Sequence, residues 1–138
     1  MKKFVMCFFL LASFSCYAQL SSSSKIYLEF AETKNEVNVN GEDALNMLAD
    51  YVKNKTTIEI VNSSEGSDFT MLLSVYERNM GNRMGKIEVI NSTTKKSVFE
   101  SKWKKGTMNA FYGYSGTRHA IGRVFKGQFL NTFPNTEK

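Results

Sequence analysis

The sequence predicts an α+β domain: a single mixed sheet of about five strands with two helices, in the order β-α-β-β-β-β-α, behind a cleaved signal peptide. Three observations predict it. Two short β-prone stretches, KIYLEF and TTIEIVN, flank one amphipathic helical stretch. Residues 68–103 read as three successive strands parted by two polar turns, and a last helical stretch runs up to Pro134.

Residues 1–18 join two lysines to an apolar run from Phe4 to Leu11, followed by small or polar residues, which is the make-up of a secretory signal peptide. The run is shorter than the roughly 20 apolar residues that span a bilayer, so no transmembrane span is expected in the mature chain. Cys16 and Ala18 occupy the −3 and −1 places of a small-residue cleavage site, which sets the mature start at Gln19. A second reading makes Cys16 a lipid-bearing first residue that anchors the exported protein to a membrane; the bulky Phe14 before it favours simple cleavage. On the first reading Cys7 and Cys16 both leave with the leader. No disulfide then remains, and an apolar core must supply the stability. The expected location is periplasmic or extracellular.

Residues 19–24, rich in serine, read as a loose tether, residues 25–133 as the single domain and residues 134–138 as a polar tail. In KIYLEF, Ile26, Leu28 and Phe30 share one face of a first strand. The polar segment after it reads as a loop. Asn40 then caps a helix with Glu42 and Asp43 in its first turn, Leu45, Leu48, Ala49 and Val52 on one face, and Lys53 and Lys55 near its end. TTIEIVN returns as a strand, which completes a crossover unit. In DFTMLLSVYE, Phe69, Met71, Leu73 and Val75 line one face while Leu72 and Tyr76 add apolar groups to the other, the pattern of an interior strand.

Gly81, Asn82 and Gly85 suit a hairpin connection into KIEVIN, and the turn STTKK leads to SVFESKW. The glycine-rich segment 104–116 is too irregular for a strand. Ser115 or Thr117 starts the second helix, with Ile121, Val124, Phe125 and Phe129 turned inward. Gly122 and Gly127 each cost it about 1 kcal/mol of propensity, which close packing against the sheet would justify.

Charge is uneven along the chain, whose formal net charge is +5. Residues 19–69 hold 9 acidic and 4 basic side chains, a net of −5; residues 70–138 hold 4 acidic and 12 basic, a net of +8. Such an imbalance marks an anion-binding surface, a head-to-tail contact between copies, or two halves that neutralise each other within one fold. The last is the simplest account, because sequence halves seldom map onto separate surfaces of a small domain.

KIYLEF before DALNMLADYVKN, the SDFTMLLSV strand, and KIEVINSTTKKSVFESKW together resemble the small α/β domain of the amino-terminal part of the Tol translocation protein, curli-secretion lipoproteins and penicillin-binding-protein activator lipoproteins. Members of that group commonly carry Ala-Asp-Tyr before the apolar strand and Thr-Gly-Lys in the later turn. This chain has Lys95 where that glycine would be and Ser74 where another is common. The resemblance implies an envelope module that binds proteins or assembles, without catalysis.

The residues themselves offer no catalytic set. His119 is the only histidine and has no mature cysteine to join it on zinc, so it reads as a surface helix residue. GYSGT lacks the nucleophile-elbow pattern. Glu42 and Asp43 are explained by the helix start, and Glu29 by an exposed sheet position. No cofactor or metal is implied.

The suggestive features are Phe111, Tyr112 and Tyr114 beside Lys104, Lys105 and Arg118, and the basic run Lys95, Lys96, Lys102, Lys104 and Lys105. Cations beside aromatics suit a partner's side chains or sugars; the plainer account makes the rings a lid on the core and the lysines a solvated hairpin edge. The expected partner is an envelope protein or a second copy, with an anionic envelope polymer or lipid as the alternative. Export argues against nucleic acid. The other functional readings are a small secreted hydrolase whose site is scattered through the sequence, and a sensor of anionic envelope components.

Overall fold

The computed structural model describes residues 19–31, 39–78, 81–108 and 115–138. The leader with Cys16, and the aromatic residues Phe111, Tyr112 and Tyr114, lie outside the described residues. The elements in chain order are β1 (Lys25–Phe30), α1 (Gly41–Lys55), β2 (Glu59–Val61), β3 (Phe69–Glu77), β4 (Arg83–Asn91), β5 (Ser97–Glu100), β6 (Lys104–Gly106) and α2 (Gly116–Val124). The last continues through a π-helical turn, Phe125–Phe129, and one more α-turn, Leu130–Thr132. The fold is α+β, with one mixed sheet in the order β2-β1-β3-β4-β5 and β6 paired to β4.

β1 lies between β2 and β3, parallel to both, and β4 is antiparallel to β3 and to β5. Nine residues of β3 face nine of β4 without interruption. Ile26 sits opposite Phe69, Met71 opposite Val89 and Leu73 opposite Ile87, so the alternate residues of three strands make one apolar layer. These side chains are fully buried, together with Ala44, Leu48 and Val52 of α1 and Ile121, Val124, Phe125 and Phe129 of the α2 segment. Both helical segments therefore cover the same face of the sheet. On the opposite face Leu72, Tyr76, Met84 and Ile90 stay half-buried, which explains the two-sided apolar pattern of β3. Trp103 meets Tyr76 edge-on at 5.1 Å there.

α1 begins where its cap demands. The Asn40 side chain accepts from the amides of Glu42 and Asp43 at 3.0 and 3.2 Å, filling two donors that the first turn leaves open. Its buried stripe is Ala44, Leu48 and Val52; Leu45 and Ala49 flank it half-buried, a small rotation from the expected face. Ser115 caps α2, accepting from the Arg118 amide at 3.3 Å.

Several expectations are corrected. The serine tether is packed onto the domain: Leu20 is only 4% exposed, and the Ser24 carbonyl accepts from the Glu59 amide. The polar tail is docked as well, with Thr136 fully buried and its carbonyl accepting from the Thr57 amide. Gly85 lies inside β4 rather than in the hairpin turn; a Cβ there would stand 3.2 Å from the Ala120 Cβ, so it admits α2 to the sheet.

SVFESKW does not run on as one strand. From Glu100 to Lys104 four residue steps pass opposite three on β4, from Glu88 to Gly85, and the excess bulges out at residues 101–103. Ser101 holds the break, its amide donating to the Ile87 carbonyl and its hydroxyl accepting from the Ile87 amide, each at 2.9 Å. The chain re-enters the ladder as β6, inside the segment that reads as irregular.

The β4–β5 turn accounts for one departure from the family pattern. Asn91 accepts from the amides of Thr93 and Thr94 at 2.9 Å, and Lys95 has φ 60°, the left-handed region where glycine is at ease. Lys95→Gly is accordingly expected to raise stability by up to about 1 kcal/mol. A urea midpoint that stays the same or falls would contradict the left-handed placement.

Candidate binding site

The basic run is divided by the hairpin that carries it. Lys95 and Lys96 stand at the turn where β4 ends, whereas Lys104 and Lys105 pair with its opposite end, at Gly85 and Met84. Six residues of extended chain separate the two groups, about 20 Å. Alternation then parts the second group: Lys104 shares the register of Gly85 on the helix side, while Lys105 shares that of Met84 on the open side. Lys102 is exposed between them, its backbone clamped by the Gln128 amide, which accepts from its N–H at 2.8 Å and donates to its carbonyl at 3.1 Å.

Lys104 and Arg118, two of the expected site residues, do come together. They line a basin of about 500 Å³ with His119, Arg123 and Lys126. That volume lies within the range of small-ligand pockets. Helical spacing assembles the wall: residues 118, 122 and 126 recur every fourth position, as do 119, 123 and 127, so three cationic side chains, one histidine and two glycines fall on one strip of the α2 segment. Tyr51 of α1 forms the facing wall, with the Lys126 ammonium 5.4 Å from its ring centre.

The glycines have roles other than packing against the sheet. A Cβ on Gly122 would stand 2.5 Å from the Tyr51 hydroxyl, so this glycine lets α1 and α2 approach. A Cβ on Gly127 would have nothing within 4 Å, since it borders the open basin. His119 is half-buried on the wall of the basin. Its Nδ1 accepts from the Thr107 amide at 3.1 Å, which leaves Nε2 as the ring's donor in the neutral form.

The cations here are sparsely matched. Arg118 pairs with Asp50 at 3.3 Å, both well exposed, an arrangement worth less than about 1 kcal/mol. Arg123 donates to the Lys105 carbonyl at 2.8 Å. Among the described residues no carboxylate lines the basin, and no group of three or more His, Cys, Asp or Glu is placed to hold a metal ion. Glu42 and Asp43 stay at the α1 cap, and Glu29 is exposed on β1.

Tyr51, Arg123, Lys126 and Gln128 were not among the residues the sequence singled out. The available signal was a basic stripe at helical spacing, from Arg118 to Lys126, interleaved with glycine.

Comparison with solved structures decides the fold's kinship. The PelC dodecamer from Paraburkholderia phytofirmans superposes with a TM-score of 0.57 at 14% identity, over 78% of this chain and 90% of PelC. This chain shares the PelC fold. The resemblance to small envelope α/β domains thus holds at the level of fold. Weaker likenesses include the LpoB C-terminal domain from Salmonella enterica, with a TM-score of 0.49 at 8% identity over 64% of this chain and 86% of that one. Lipoprotein GNA1162 from Neisseria meningitidis has a TM-score of 0.48 at 10% identity over 81% and 97%. No family model matches the sequence, and no curated protein matches it.

Proposed function

We infer that the protein is an exported module of the cell envelope that works by binding and assembly rather than by catalysis, and that its copies associate head to tail. The observation that carries this is the polarity of the sheet. Strands β1 and β2 come from the acidic half of the sequence and end the sheet on one side; β4, β5 and β6 come from the basic half and end it on the other. The two edges of the sheet are thus built from halves of opposite net charge, while the halves meet at Arg118–Asp50 and where residues 136–138 dock beside β2.

Glu59 is exposed on the β2 edge, and Lys102 and Lys105 are exposed on the edge formed by β5 and β6. Two unlike edges of one molecule are complementary to each other, and a contact between them is heterologous, so repetition leads to rings or filaments. The dodecamer of PelC offers a precedent on the same fold. Export rests on the leader.

Sedimentation equilibrium of the mature chain tests the reading. Multimers are expected at about 50 mM salt, with dissociation at about 500 mM, where screening shortens the reach of surface charge. Lys102→Glu/Lys105→Glu should lower the oligomer mass, and adding Glu59→Lys should restore it in part. A monomer at both salt concentrations would sink the proposal.

A further inference from the structure

We propose that the basin between Tyr51 and the α2 segment is a binding site for a phosphate-type oxyanion carrying two or more negative charges, such as a phosphomonoester or diphosphate group. Three independent features converge there. The first is charge: Lys104, Arg118, Arg123 and Lys126 line one concavity, and Asp50 is the only carboxylate paired with any of them among the described residues. The uncompensated charge suits a multiply charged group better than a single carboxylate. Guanidinium groups present paired donors that match oxyanion geometry, and the lysines add point charges.

The second feature is shape. Gly127 leaves open space where any other residue would project a side chain, and Gly122 brings the Tyr51 ring within reach of the α2 wall. The result is a concavity with an aromatic side, onto which the body bearing the phosphate can pack.

The third is backbone. The helix widens into a π-turn at Phe125–Phe129, where the Leu130 amide bonds the Phe125 carbonyl, and Lys126, Gly127 and Gln128 of that turn line the basin. Such turns are rare and recur at functional sites. Gln128 ties this one to the strand connection at Lys102, while Phe125 and Phe129 anchor its inner side with ring centres 4.9 Å apart. The cationic wall is therefore held on a fixed support.

This site lies on the helix-covered side of the sheet and extends beyond the assembly reading. Calorimetric titration of the full mature chain with pyrophosphate at about 50 mM salt should give saturable one-to-one binding, weakened at least tenfold at about 200 mM. Acetate at equal concentration should not compete. Lys104→Gln/Lys126→Gln, two changes on side chains that make no ion pair among the described residues, should weaken binding at least tenfold while the circular dichroism and melting temperature stay as in the parent.

A second arm uses vesicles with and without phosphatidic acid. Retention on the phosphatidic acid vesicles, reversed by pyrophosphate, would assign the group to a lipid; pyrophosphate binding without retention would assign it to a soluble or glycan-borne phosphate. Absence of saturable binding in both arms, or equal binding by the double variant, would overturn the proposal. A monomer that binds pyrophosphate would leave this site standing and remove the head-to-tail reading alone.

Discussion

Gly106→Ala is expected to destabilise the fold by about 3 kcal/mol or more, a large share of the 5–15 kcal/mol that holds a domain of this size together. The added Cβ would stand 2.1 Å from the Gly116 carbonyl oxygen and 2.3 Å from the Ala120 amide nitrogen. Both are backbone atoms in the first turns of α2, so neither can swing aside as a side chain would. The helix would have to lift from the sheet and break its contacts at Gly85 and Gly106 together. Thermal melts check this, with Gly66→Ala as the internal control, because a Cβ on Gly66 meets nothing within 4 Å. Equal melting temperatures for the two variants would show that α2 does not lie this close to β6.

Leu73→Asp should be the more damaging change. Leu73 is fully buried at the middle of β3, opposite Phe30 on β1 and Ile87 on β4. Losing a buried leucine costs about 2–5 kcal/mol by itself, and an unpaired carboxylate in that position adds several more through desolvation. The sum rivals the whole stability of the domain, and the variant is expected to be largely unfolded at 25 °C. A near-parental urea midpoint would mean that β3 does not occupy the centre of the sheet.

β3 and α1 were legible because each repeats one period long enough to exceed chance. Phe69, Met71, Leu73 and Val75 declare a strand face, and Asn40 with the acids behind it declares a helix start. β6 has no such period: its three residues are Lys104, Lys105 and Gly106, and what makes them a strand is pairing with β4 after a bulge fixed by the Ser101 side chain. Gly85 and Gly106 carry the same composition signal as turn glycines. Their actual constraint is the approach of a helix some ten to thirty-five residues further along, which local sequence does not encode.

The basin was partly legible for the same reason. Arg118 and Lys104 were visible as charge, but the wall that makes a cavity comes from Tyr51, far back in the chain, and from a π-turn that no spacing rule announces. The charge imbalance was plain in the sequence, while its spatial meaning depended on strand order. With β1 inserted beside β3, the early strands are kept to one side of the sheet and the later ones to the other.

Both described ends of the chain fasten to the same short stretch. The Thr57 hydroxyl donates to the Ser22 carbonyl, its amide donates to the Thr136 carbonyl, and the Lys138 amide donates to the Lys55 carbonyl. A pull exerted between the ends is borne by these few bonds beside β2, and the long β3–β4 ladder lies outside the load path. A domain held by its leading end would hang from its β2 edge, with the β5 edge turned outward toward whatever arrives.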